Sequence, residues 1–202
     1  FSQGILNQDT EITFYFDSKP YKGFLGDTVA SALLANDVHL VGRSFKYHRP
    51  RGILGIGSEE PNALISVHKD GRVEPNVRAT VQEIYQGLIV TSQNSWPNLK
   101  FDALAINDIA ARFLSAGFYY KTFMWPPRFW EALYEPIIRR AAGLGRLDSK
   151  TDDDNYDQNF LFCDLLIIGG GPSGLLSALL TARAGLDIIL VDENANFGGQ
   201  LR

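Results

Sequence analysis

Near its C-terminal end the chain reads Cys163-Asp164-Leu165-Leu166-Ile167-Ile168-Gly169-Gly170-Gly171-Pro172-Ser173-Gly174. Leu165 to Ile168 is wholly apolar, the pattern of a central parallel strand buried on both faces. It runs into Gly169-x-Gly171-x-x-Gly174, where each glycine has a separate task. Gly169 permits the tight turn out of the strand. Gly171 lets the backbone approach a pyrophosphate with no Cβ in the way. Gly174 lets the following helix pack closely on the sheet. That helix is predicted from Pro172 to about Ala184, with Leu175, Ala178 and Leu179 on one face and Gly185 at its end. Its N-terminus offers free N–H groups and a partial positive charge to phosphate. Gly169, Gly170, Gly171, Pro172, Ser173 and Gly174 are thus candidate cofactor-binding residues.

Leu186 to Val191 is predicted as a second strand ending in Asp192-Glu193, 18 residues beyond Gly174 at Asp192. A carboxylate about 20 residues past the glycines accepts hydrogen bonds from ribose hydroxyls. No arginine follows at once to pair with a 2′-phosphate, which favours NAD or FAD over NADP. Asn196-Phe197-Gly198-Gly199-Gln200 is a second Gly-rich turn. It reads either as an ordinary loop or as a second wall of the same crevice, with Gly199 and Gln200 as candidates beside Asp192 and Glu193. Two strands do not complete a mononucleotide-binding half, and an unpaired second strand is a hazard. Either the chain continues or other chain segments complete the sheet, and the expectation is a fragment. The absence of an initiator methionine before Phe1 suggests that the true N-terminus is missing as well.

Elsewhere, 45% hydrophobic and 21% charged residues suit a packed core, and a net charge of −4 argues against a nucleic-acid partner. The single cysteine, Cys163, excludes an internal disulfide framework. At the head of a predicted buried strand it reads as core. No apolar run approaches the ~20 residues of a membrane span, and no secretory signal is visible, so no membrane and a cytoplasmic location are expected.

Three parts follow along the chain. Residues 1–95 open with a strand over Glu11–Phe16, with Ile12, Phe14 and Phe16 on one face. A turn over Asp17–Pro20 leads to a returning strand from Tyr21 to Phe24. A helix follows, capped by Asp27 or Thr28, with Val29, Leu33 and Leu34 as its stripe and Asn36-Asp37 at its end. Ala63 to His68 is another strand, with a turn at Lys69-Asp70-Gly71. Hairpin, helix and later strands suggest a β-grasp domain. Residues 96–158 form a connecting region. There Asp102 caps a helix bearing Leu104, Ile109, Phe113 and Leu114, ended by Gly117. An aromatic tract follows, then a helix begun by Pro126-Pro127, kinked by Pro136 and ended by Gly143. Residues 148–157 carry five aspartates. They read as a solvated linker, because their spacing lacks the glycine and glutamate of a calcium loop. Residues 159–202 begin the dinucleotide-binding domain. The fold class is α+β followed by the first βαβ of a Rossmann-type α/β domain.

Several stretches carry a family resemblance: Gly26 to Asn36, Gly42-Arg43-Ser44-Phe45-Lys46-Tyr47-His48-Arg49-Pro50-Arg51-Gly52, Glu60 to Leu64, Ala116 to Met124, and the Gly169–Gly174 fingerprint. With these the chain resembles the N-terminal portion of the alpha subunits of heterotetrameric sarcosine oxidases. The resemblance implies a ferredoxin-like β-grasp domain, then a nucleotide-binding domain, then a long C-terminal region that binds tetrahydrofolate. It implies a complex with beta, gamma and delta subunits. That complex oxidises sarcosine to glycine with hydrogen peroxide, the one-carbon unit leaving as formaldehyde or methylenetetrahydrofolate. NAD is implied on this subunit, FAD being the alternative, with FAD and FMN in the complex and substrate oxidation on the beta subunit. No catalytic residue is carried over. Related dehydrogenase subunits hold a [2Fe–2S] cluster in the loop after Pro-Arg-Gly. Here that loop, Ile53 to Asn62, contains no cysteine, and such clusters need thiolates. The expectation is therefore a domain with no iron–sulfur cluster.

Two features fall outside this scheme. Arg43, Lys46, Arg49, Arg51 and His48, with Phe45 and Tyr47, form a basic loop. It is either a solvated loop or a contact to a partner subunit or cofactor phosphate. Seven aromatics over 118–130 form either core or a docking surface. Two further readings stay open: a non-catalytic nucleotide-binding and assembly module, and the alpha subunit of a related dimethylglycine or proline dehydrogenase or oxidase.

Overall fold

The computed structural model describes residues 7–109, 111, 125–142, 155–194 and 196–199. The chain divides into two compact units, Phe1–Lys150 and Thr151–Arg202.

In the first unit, β1 (Asn7–Phe16) and β2 (Lys19–Leu25) form an antiparallel hairpin. Asp17 and Ser18 take positive φ of 47° and 65° to make a two-residue turn, so Lys19 and Pro20 already belong to β2. Ile12, Phe14 and Phe16 are buried, as their period of two requires. Helix α1 (Val29–Ala35) is capped by Thr28. The Ser31 N–H donates to Thr28 Oγ1 at 3.2 Å and the Thr28 N–H to Ser31 Oγ at 2.9 Å. Val29 and Leu33 are buried, but Leu34 is exposed, and Ala30 and Ala32 complete the inward face instead.

Two short strands, β3 (Gly42–Arg43) and β4 (Pro50–Arg51), pair antiparallel across the basic loop. Then come β5 (Leu64–Lys69), β6 (Arg72–Arg78) and β7 (Ile89–Ser92). The five-stranded sheet has the order β2-β1-β7-β5-β6. β7 lies parallel to β1 and antiparallel to β5, so the first hairpin and the second are joined through the last strand. This is the β-grasp arrangement. The core comes from β1, α1, Ile65 and Val67 of β5, and Val90 of β7. Each fully enclosed Phe14, Leu33 or Ile65 side chain contributes ~1.5–3 kcal/mol through apolar burial.

Asp102 caps a 3-10 turn, Ala103–Ala105, followed by α2 (Ile106–Ile109). Leu104 and Ile109 are exposed; Phe113, Leu114 and Gly117 lie outside the described residues. Pro127–Phe129 is a 3-10 turn leading into a π-helical turn, Trp130–Tyr134, and then α3 (Glu135–Ala142). Pro136 sits where π winding gives way to α: without an N–H it cannot supply the i→i−4 bond there. Of the aromatic tract, only Trp125, Phe129 and Trp130 are described, and Gly143 and residues 148–154 lie outside the described residues.

The second unit holds β8 (Leu165–Ile168), α4 (Pro172–Arg183) and β9 (Ile188–Val191), with the two strands parallel. Gly185 ends the helix at φ +84°. Burial in β8 alternates: Leu166 is 54% and Ile168 80% exposed. Among the described residues β8 is paired with β9 and packed against α4. Cys163 is half-buried. Among the described residues no helix is long and apolar enough to cross a membrane.

Candidate functional site

The candidate site is the turn between β8 and α4. Gly169 sits at φ +101°, a region open to glycine at little cost, and its N–H donates to the Val191 carbonyl at 2.8 Å. That bond carries the β8–β9 pairing into the turn. A Cβ on Gly174 would overlap the Gly169 carbonyl oxygen, so the helix can approach the strand this closely only through a glycine. Around Gly171 the position of a Cβ is open space, with nothing within 4 Å. Gly171 is the N-cap of α4, Pro172 follows at the first turn, and no side chain caps the helix. The first described N–H to bond back is that of Leu175, to the Gly171 carbonyl at 2.9 Å. The N–H groups of Ser173 and Gly174 are left without a protein acceptor among the described residues. Open space beside Gly171 and uncapped N–H groups make a cradle that fits a pyrophosphate.

The two acids after β9 behave differently. Asp192 Oδ2 accepts the Gly170 N–H at 2.5 Å, while Oδ1 accepts both the backbone N–H and the side-chain amide of Asn194 at 2.8 Å. The Asn194 backbone N–H, then the Gly170 N–H, then the Asn194 amide hold the Asp192 carboxyl below the usual aspartate range. An ionised carboxylate has about four lone-pair sites, so Asp192 pins the glycine turn and keeps capacity for one further donor. Glu193 is exposed and makes no hydrogen bond or ion pair among the described residues.

The second Gly-rich turn docks on the first. The Gly198 N–H donates to the Gly170 carbonyl at 2.8 Å. A Cβ on Gly170 would strike the Phe197 ring, and one on Gly199 would lie 3.2 Å from Gly171 Cα. The structure thus brings Gly169 to Gly174, Asp192 and Gly199 together; Gln200 lies outside the described residues. The Asp192–Gly170 bond went unread in the sequence, although an aspartate two residues before an asparagine at a strand end is a turn signal.

The first unit holds two buried polar centres that no motif announced. Glu60 is fully buried and accepts four backbone N–H groups: Leu54 at 2.7 Å, Gly55, Asn62 at 2.7 Å and Ala63 at 3.0 Å. Burial pushes its pKa up, but these four donors outweigh burial and hold it below the usual glutamate range. His48, at φ +54°, places Nδ1 2.8 Å from Asp102 Oδ2, both side chains being buried. Asp102 Oδ1 also accepts the N–H groups of Trp96 and Leu104 at 3.1 Å. No group of three or more His, Cys, Asp or Glu that could hold a metal occurs among the described residues.

Comparison with known proteins places these units. Residues 9–95 match the model of a 2Fe-2S iron-sulfur cluster binding domain, and residues 164–202 that of an FAD dependent oxidoreductase. The first match corrects the expectation of no iron–sulfur cluster, because the likeness to a cluster-binding domain runs over the whole of residues 9–95, where the expectation rested on a cysteine count over one loop. Residues 9–95 themselves contain no cysteine, so the thiolate donors of such a cluster are not in the matched segment. The second match is to a family named for FAD, the alternative that the sequence left beside NAD. A solved L-proline dehydrogenase from P. horikoshii is 18% identical with a TM-score of 0.47, covering 96% of this chain and 26% of that one, too slight a likeness to carry an argument. The chain is 57% identical over 199 residues to sarcosine oxidase subunit alpha of Rhizobium meliloti (strain 1021), covering 98% of this chain and 20% of that protein. It is 32% and 33% identical to the sarcosine oxidase alpha subunits of Corynebacterium sp. strains U-96 and P-1, again over 98% of this chain and 16% of each relative. The chain therefore spans about a fifth or less of these relatives, and it is a homologue of the N-terminal fifth of the sarcosine oxidase alpha subunits.

Proposed function

We propose that this chain forms the N-terminal part of the alpha subunit of a sarcosine-oxidase-like complex and that its second unit holds the adenosine diphosphate half of FAD. The observation that carries the first statement is 57% identity over nearly the whole chain. The second rests on the cradle at Gly169–Gly174 and on the FAD-dependent family match. In this reading residues 1–95 are the ferredoxin-like domain, 96–158 a connecting region, and 159–202 the start of a Rossmann-type domain. Gly169, Gly170, Gly171 and Gly174 give the pyrophosphate room. The N–H groups of Ser173 and Gly174 bind it, with Pro172 setting the helix start and Gly199 closing the far side. Glu193 and the remaining lone pair of Asp192 accept the ribose hydroxyls. Bound FAD supplies two-electron acceptor chemistry; this chain's residues bind and orient it, and none is assigned to proton or hydride transfer.

The whole complex is proposed to act in the cytoplasm with its beta, gamma and delta subunits. It would convert sarcosine to glycine with hydrogen peroxide, releasing formaldehyde or, with tetrahydrofolate on the C-terminal region, methylenetetrahydrofolate. The test is to purify the full-length subunit in its complex, denature it, and identify released nucleotides by mass spectrometry. The wild type is expected to release FAD from this subunit. Gly171→Ala, whose Cβ meets open space and whose φ of −72° suits alanine, should leave the fold intact and lower that FAD at least tenfold. Retention of FAD by Gly171→Ala, or no nucleotide on the wild-type subunit, overturns the site. Failure of the complex to oxidise sarcosine overturns the activity. FAD that stays oxidised on this subunit while sarcosine is consumed would make the site an assembly module.

A further inference from the structure

The glycine turn carries one glycine that its own geometry does not require. Gly169 needs its positive φ of +101°, and Gly174 must lack a Cβ to clear the Gly169 carbonyl. Gly170 lies outside the left-handed region that favours glycine, and it stands at a free position of the glycine fingerprint. The three atoms nearest to a Cβ there are Cδ1, Cε1 and Cγ of Phe197, the last two at 3.1 Å. The constraint on Gly170 therefore comes from the second Gly-rich turn, through the ring of Phe197.

That second turn is bent to reach the first. Gly198 and Gly199 take φ of +123° and +52°, which glycine adopts at little cost. Gly170 is then held from three sides. Its N–H donates to Asp192 Oδ2, its carbonyl accepts the Gly198 N–H at 2.8 Å, and its Cα lies against Phe197. Gly199 presses on the next two residues, a Cβ on it lying 3.2 Å from Gly171 Cα and 3.9 Å from Pro172 Cδ. Phe197 itself is 51% exposed, so its ring contributes less through apolar burial than an enclosed phenylalanine does. What the ring fits is the glycine turn.

A phosphate cradle binds well when its N–H groups already point at the ligand, because ordering a loop on binding costs free energy. The three successive glycines, Gly169 to Gly171, have more backbone freedom to lose than any other residues would, and they lead straight into the uncapped start of α4. We propose that Phe197 is a positioning residue for the nucleotide: its ring, with the Gly198 N–H, fixes the Gly170 peptide and so aims the Ser173 and Gly174 N–H groups before FAD arrives. The second Gly-rich turn is on this account a wall of the site and not an ordinary loop. The proposal rests on the reading of the second unit as an FAD site and adds to it a residue that acts through Gly170.

The test titrates the full-length subunit, freed of nucleotide, with FAD, and reads binding by flavin fluorescence and by circular dichroism in the flavin bands. Gly170→Ala drives a Cβ into the ring and should raise the FAD dissociation constant roughly tenfold or more. Phe197→Ala loosens the turn and should raise it about fivefold. Combining the two substitutions removes the clash, so the double variant should bind FAD at least about threefold tighter than Gly170→Ala alone, a non-additivity expected of residues in contact. Phe197→Tyr keeps the ring and should bind within about twofold of wild type, with the same flavin circular dichroism. Thermal melting of the nucleotide-free variants separates positioning from folding, and Phe197→Ala should melt close to wild type. Phe197→Ala binding FAD as wild type does, losing FAD only together with its fold, or a double variant no better than Gly170→Ala would each overturn the proposal and leave the FAD site standing. A wild-type subunit that binds no FAD overturns both.

Discussion

Replacing Glu60 by glutamine tests whether one buried carboxylate holds the loop from Leu54 to Ala63. Its two oxygens divide four N–H donors evenly: Oε2 takes Leu54 and Gly55, and Oε1 takes Asn62 and Ala63. Glutamine keeps one oxygen and presents an NH2 group where the other stood. The bond to Ala63 is the fully buried one, and those to Leu54 and Gly55 are partly buried. The amide therefore turns its oxygen to Asn62 and Ala63, leaving two partly buried N–H groups facing a donor. Each such loss costs ~1–3 kcal/mol, and partial water access favours the lower end, so Glu60→Gln is expected to cost about 2–3 kcal/mol. Urea unfolding of the full-length protein, followed through the transition of the first unit, measures it. The pH dependence supplies a second check. The folded Glu60 pKa lies below the ordinary value, near ~4.3 for glutamate. Its stabilisation is therefore fully present above that ordinary value and is lost as pH falls through the folded pKa. The gap between wild type and Glu60→Gln should hold from pH 7 to 5 and narrow in acid below about pH 4. A cost under about 1 kcal/mol, or a gap that is unchanged by acid, would refute the reasoning.

Three other outcomes follow from the geometry. His48→Ala leaves the buried Asp102 carboxylate without its Nδ1 donor and should cost about 3 kcal/mol in the same unfolding assay, with faster hydrogen exchange at Trp96 and Leu104. Asp192→Asn keeps one acceptor oxygen of two, so either the Gly170 N–H on Oδ2 or the Asn194 donors on Oδ1 face an NH2 group instead; FAD release by mild dialysis should become several-fold faster. Because the folded Asp192 pKa is lowered, wild-type retention should stay flat from pH 5 to 8 and fall only in stronger acid. Gly174→Ala forces a Cβ into the Gly169 carbonyl, so the second unit should lose both nucleotide and thermal stability, whereas Gly171→Ala loses nucleotide alone; equal melting of the two variants would contradict the packing role of Gly174.

Patterns of local chemistry were readable without coordinates. The alternation of Ile12, Phe14 and Phe16 announced a half-buried strand because side chains alternate across a sheet. The glycine spacing at Gly169, Gly171 and Gly174 announced a strand–turn–helix because each steric requirement falls on one residue. Asp17–Ser18 and Asp70–Gly71 marked turns through residues that tolerate positive φ. Contacts between distant segments were another matter. The position of β7 between β1 and β5 follows from no local pattern, since pairing partners some 70 residues apart are chosen by the packing of the whole sheet. Leu34 read as core yet faces water, because the angle at which α1 meets the sheet selects which stripe is covered. Nor does Glu60 look different in sequence from the exposed Glu59 beside it: only the folded loop collects four N–H groups around one carboxylate. In the same way Asp192 and Glu193 are two adjacent acids on paper, while the tertiary structure commits the first to the glycine turn and leaves the second exposed, because a hydrogen bond depends on where the 170 turn and the end of β9 meet in space.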